Sequence, residues 1–98
     1  MNFILDYTDT AQGQLRRLKH TAHLEKCYKA VTKALKNLAQ NSRHHGLQTH
    51  AYQSLAGPQG EKVFEAYAEQ DTPAAYRIFF YYGAHRGEIV ILAITPHP

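Results

Sequence analysis

A chain of 98 residues with a formal net charge of +3 is the size of a single domain, 1–98, and can bury about two thirds of the surface that its unfolded form exposes. With 44% hydrophobic and 19% charged residues the composition excludes a disordered tail, and no apolar run approaches the ~20 residues of a membrane span. The opening M-N-F-I-L-D-Y lacks the basic head and long apolar middle of a secretory signal, and Cys27 is the single cysteine, so a cytoplasmic protein without disulfides and without a membrane partner is expected.

The segment F-I-L-D-Y-T, residues 3–8, alternates loosely and is bounded by T-D-T, which predicts a strand. Asp9 then stands as an N-cap with Gln12 at the capping-box spacing, and Ala11, Leu15, Leu18 and Ala22 follow at helical intervals. A second helix is predicted by one apolar stripe, Leu24, Cys27, Tyr28, Val31, Ala34, Leu35 and Leu38, with Lys29, Lys33 and Lys36 on its other side. Residues 1–42 carry seven Lys/Arg against three acidic residues, whereas residues 43–98 carry four against five. The basic half is therefore the helical half. The three lysines read either as a solvated face or as a contact for phosphate or an acidic protein.

N-S-R-H-H-G at 41–46 stops the second helix, residues 47–55 fit a strand or an ordered loop, and G-P-Q-G at 57–60 is a turn by composition. Three strands follow, Val63–Ala68, Ala75–Tyr82 and Glu88–Thr95, and their short Gly- or Pro-containing connections predict an antiparallel meander. The expected fold class is α+β in two layers: an N-terminal strand, a helical hairpin and the meander, with both helices on one face of a four-stranded sheet.

The period of two sorts the strand Y-R-I-F-F-Y-Y into unlike faces. Ile78 and Phe80 point toward the helices together with Phe64 and Ala66 of the preceding strand. Arg77 falls with Phe79 and Tyr81, beside Glu65 and Tyr67. A buried, unpaired guanidinium is costly, so this second face is expected to be open, its aromatics available to stack on bases or to anchor a partner. Arg77 itself has three readings: an ion pair with Glu65 across the strands, a contact for an arriving phosphate, or a contact for another protein. Seven histidines include the pair His20 and His23 and the cluster His44, His45 and His50, but no Cys partner or H-E-x-x-H motif accompanies them, so neither a metal nor another cofactor is expected.

The ordered set of a short strand, a basic helical hairpin, a Leu-Xaa-Gly turn (Leu55, Ala56, Gly57) and a meander containing Y-R-I-F-F resembles the RelE/ParE superfamily of type II toxin–antitoxin systems over essentially the whole chain. The resemblance implies a RelE-like fold, a toxin neutralised by a cognate antitoxin protein, and in the ribonuclease branch a metal-independent endoribonuclease, or mRNA interferase, acting on mRNA, in some members on the ribosome. The arginine matching Arg77 contacts the scissile phosphate in that branch, and a histidine matching His97, in T-P-H-P, acts as general acid in some members. The base in those members is a glutamate ahead of the Leu-Xaa-Gly turn; the matching segment here, L-Q-T-H-A-Y-Q-S-L, has no carboxylate, and His50 is its one candidate base. The aromatic residue those members place last is replaced by Pro98. The alternatives are a ParE-like toxin that binds DNA gyrase without catalysis and a relative that keeps only the fold.

Overall fold

Five strands, β1 (Ile4–Tyr7), β2 (His50–Ala56), β3 (Lys62–Tyr67), β4 (Tyr76–Tyr82) and β5 (Glu88–Pro96), form one sheet in the order β1-β5-β4-β3-β2. The computed structural model describes residues 2–69 and 75–96. The meander β3-β4-β5 is antiparallel as expected, and β1 adds to β5 in parallel. Helices α1 (Asp9–Lys19) and α2 (Glu25–Gln40) form the second layer, joined by a single 3-10 turn at Ala22–Leu24.

The core is where the two periodicities meet. On α2, Val31, Ala34, Leu35 and Leu38 are buried and pack in one cluster with Ala66, Ile78, Phe80, Ile89, Ile91 and Ile94 from the strands. Cys27 and Tyr28 are partly buried at its margin. Phe80 lies at the centre, fully buried, with the ring of Phe64 at 5.7 Å and that of Tyr82 at 5.8 Å. The tight turn that closes β4 onto β5 contains Gly87 at φ 81°, a backbone region that glycine enters without a Cβ clash.

Three details differ from the sequence reading. The sheet has five strands, because residues 47–55 resolve into a 3-10 turn at His45–Leu47 followed by β2. That strand lies on the edge, its residues are exposed apart from a half-buried Tyr52, and its pairing with β3 slips between Ala51 and Ala56. A strand with no buried face has no hydrophobic alternation to read. Ala22 is exposed in the 3-10 turn and does not extend the stripe of α1.

The third difference is the cap of α1, which is Thr8 and not Asp9. Thr8 Oγ1 accepts from the Ala11 N–H at 3.1 Å and donates to the Leu92 carbonyl at 2.9 Å. A carboxylate has no proton for the second bond. Leu92 is the extra residue of a bulge in β5: Phe79 pairs with Ala93 but Phe80 pairs with Ile91. Gln14 of α1 accepts from the Ile94 N–H at 2.6 Å, so two side chains of one helix satisfy backbone groups beside the break in the ladder. Thr8→Ala is expected to cost about 1–2 kcal/mol, the sum of a lost cap and a lost tertiary hydrogen bond. Urea melts check this; a loss below about 0.3 kcal/mol would mean that Thr8 does not hold the helix start.

Candidate functional site

The sheet face turned away from the helices carries the polar cluster, and strand register builds it. His50 of β2 stands directly opposite Glu65 of β3, Glu65 opposite Phe79 of β4, and Tyr67 opposite Arg77. Residues two apart on a strand share a face, so these side chains converge. His50 Nε2 is 2.7 Å from Glu65 Oε1, the Arg77 guanidinium donates to Glu65 Oε2 at 2.7 Å, and the Tyr67 hydroxyl donates to Glu65 Oε1 at 3.2 Å. One carboxylate thus holds a histidine, an arginine and a tyrosine. Glu65 lies beneath them, its side chain 4% exposed against 16% for Arg77 and 47% for His50.

The aromatic residues of this face form a bed for the guanidinium. Arg77 lies over the Phe79 ring at 4.9 Å and the Tyr52 ring at 5.8 Å, and Tyr52 and Phe79 tilt against each other at 4.8 Å. Such cation–π contacts fix the plane of the guanidinium as well as its charge. Its Nε–H is buried without a hydrogen-bond partner among the described residues, so only the forked end is engaged. His50 is held from both sides: Nδ1 is 2.9 Å from the Gln48 carbonyl, and Gln48 takes a left-handed backbone, φ 47°, at the entry to β2. Both ring nitrogens therefore face acceptors. The doubly protonated ring donates to both, whereas the neutral ring keeps one of the two bonds.

Burial, then the neighbouring Glu65 charge and the hydrogen bond to it, push the Tyr67 phenol above its ordinary value of 10.0, with Arg77 pulling the other way. Burial, then Glu61 and Glu88, raise Tyr81 likewise. Both phenols are neutral at physiological pH.

The parity assignment of this face holds, but its exposure does not. Phe79 and Tyr81 are only 3% and 8% exposed; Phe79 is covered by Arg77 and by Tyr52, on a strand whose existence the sequence left open. The aromatic residues reachable from solvent are Tyr52 and Tyr67, both half-buried. Arg77 pairs with Glu65, so the ion-pair reading of that arginine describes its resting state. Lys29, Lys33 and Lys36 are exposed on α2, in the opposite layer, and Lys29 pairs with Glu25 at 3.3 Å. None of them pairs with the carboxylate cluster among the described residues, although Lys33 lines a depression that Tyr67 also borders. His97, expected as a general acid, lies outside the described residues. Sequence reasoning missed Tyr52 and the meeting of His50 with Glu65; the one signal for either was a strand of ambiguous pattern.

No protein-family model matches the chain, and no curated protein sequence matches it. Solved structures do. A YoeB/ParE toxin from Agrobacterium tumefaciens superimposes with a TM-score of 0.68 at 8% identity, over 96% of this chain and 98% of that one. RelE in the archaeal RelE–RelB complex of Pyrococcus horikoshii gives a TM-score of 0.65 at 14% identity, over 98% and 96%. The toxin–antitoxin complex RelBE2 of Mycobacterium tuberculosis gives 0.58 at 18% identity, over 99% and 100%. At such identities the likeness is one of fold: the chain has the fold of the RelE/ParE toxins over nearly its whole length.

Proposed function

We propose that this chain is the toxin of a type II toxin–antitoxin pair and that it acts as an endoribonuclease on mRNA. The observation that carries the reading is the shared carboxylate. It sets a half-exposed histidine and a guanidinium side by side on the sheet face, where a proton acceptor and a phosphate ligand are needed together. The fold supports the wider claim, since two of the similar structures are described as complexes of a toxin with its antitoxin.

RNA carries its own nucleophile, so the protein has to manage protons and charge. A neutral His50 that keeps its Nε2–H on Glu65 has a lone pair on Nδ1, at the exposed edge of the ring, once the Gln48 carbonyl gives way to substrate. There Nδ1 takes the proton of the 2′-hydroxyl as the 2′-oxygen attacks phosphorus. The phosphorus–O5′ bond breaks, leaving a 2′,3′-cyclic phosphate, and the departing 5′-oxygen takes a proton, for which His97 is the candidate donor. Arg77 offers its outer N–H groups to the phosphorane, and Tyr52 offers a ring face to a neighbouring base.

The test is induced expression in a bacterial host, following growth and transcript integrity for the wild type, His50→Ala, His97→Ala, Arg77→Ala and Arg77→Lys. Arrested growth with cleaved transcripts, lost in the His50 and Arg77 variants including Arg77→Lys, is the expected result. Lysine keeps the charge but not the fork. Arrest with intact transcripts would replace the nuclease with a toxin that binds a target such as DNA gyrase. Normal growth without any antitoxin would remove the toxin reading altogether.

A further inference from the structure

We infer that Glu65 is the positioning residue for His50: it fixes the ring proton on Nε2 and thereby leaves Nδ1 as the basic nitrogen. The inference rests on the nuclease reading for its consequence in turnover, and on geometry for its substance.

Four observations carry it. Glu65 faces His50 directly in the β2–β3 register, and the 2.7 Å contact runs to Nε2, so the two strands that set the ring also set its partner. The carboxylate lies on the floor of the cluster with a 4% exposed side chain, out of reach of a substrate that could reach His50 and Arg77 above it. It therefore acts through the histidine and not on the reacting atoms. Its second oxygen is occupied by Arg77 at 2.7 Å and its first is also approached by the Tyr67 hydroxyl at 3.2 Å, so the carboxylate is held against rotation. The His50 ring also leans on Tyr67, with ring centres 5.6 Å apart, which limits the ring's own swing.

The Gln48 carbonyl at Nδ1 competes for the single proton of a neutral ring, but it is a neutral acceptor at 2.9 Å, whereas the carboxylate at Nε2 is charged and lies at 2.7 Å, so the proton stays on Nε2. The identity of the acceptor matters as much as its place. An amide offers one acceptor oxygen where the carboxylate offers two. Glu65→Gln can accept from His50 or from Arg77, and the donor that loses meets an NH2 group. The side chain keeps its size while the fixed tautomer is lost.

The experiment uses the full chain, purified, in two measurements. Nitrogen-15 shifts of the His50 ring at a pH where the ring is neutral report which nitrogen bears the proton; cleavage of a short unstructured RNA oligonucleotide reports turnover. In the wild type the proton is expected on Nε2. In Glu65→Gln that preference is expected to weaken or reverse, with kcat reduced at least about tenfold and KM within about twofold, as for a group that acts on proton transfer and not on binding. A wild-type ring protonated on Nδ1 overturns the inference even if the variant fails to fold. So does a folded Glu65→Gln that keeps both its ring tautomer and its kcat. If the wild type cleaves no RNA, the nuclease reading fails, while the ring measurement still judges the role of Glu65.

Discussion

Phe80→Ala is expected to remove about 3–5 kcal/mol of stability, the range for emptying a buried aromatic site. Phe80 is fully buried within β4, stacked on Phe64 and edge-on to Tyr82, in a three-ring cluster whose members already pack on one another and leave none free to fill the space it vacates. A domain of this length is held by roughly 5–15 kcal/mol in all, which leaves the variant close to half unfolded at the low end. Urea denaturation followed by far-ultraviolet circular dichroism measures the loss directly. A value below about 1.5 kcal/mol would show that the layer between sheet and helices is looser than the packing of these rings implies.

The second large effect is expected at Arg77→Met. Methionine keeps much of the stem that covers Phe79 but leaves the Glu65 carboxylate, at 3% exposure, with His50 as its only ionic partner among the described residues. Removing one member of a buried pair strands the other, at a cost of about 2–4 kcal/mol here, near the lower end of the usual range because Arg77 keeps some contact with solvent. Glu65→Gln with Arg77→Met should recover a part of that loss, and a cycle of the four proteins should give a coupling of about 1–3 kcal/mol. If the arginine variant is as stable as the wild type, the pair is ornamental and the carboxylate finds enough support in His50 and Tyr67. The measurement also protects the growth assay from misreading, since a loss of toxicity in an unfolded variant says nothing about phosphate; Arg77→Lys, which retains a partner for Glu65, is the cleaner comparison.

Most of the architecture was legible because the core-facing residues obey simple periods. The stripe from Leu24 to Leu38 and the alternation of Ile78 and Phe80 with Arg77 and Phe79 each determine a face, and both faces were assigned as the structure has them. What could not be read depends on residues that carry no period. Strand β2 is exposed along nearly its whole length, so its place in the sheet is set by backbone pairing to β3, and no pattern of side chains records it. The site inherits that gap. The pairing of Arg77 with Glu65 follows from two predicted strands and was one of three open readings. The approach of His50 and the cover that Tyr52 provides over Phe79 both come from β2, and with them the burial of an aromatic face that was expected to lie open. Parity says which side a residue is on; it does not say what else arrives on that side.

The order of the strands has a consequence for how the chain reaches its folded state. Strand β5 is the last element along the chain but lies inside the sheet, between β1 and β4, and the Thr8–Leu92 contact spans 84 residues. Neither β1 nor the start of α1 can find its final partners until β5 is present. Contacts of such long range require a large loop to close before they repay it, which slows folding and makes its last step nearly all-or-none. Until β5 inserts between β1 and β4, the helices and β2 to β4 have no closed sheet to pack against. The cluster on β2, β3 and β4 therefore stands on an unfinished scaffold until that last strand is in place.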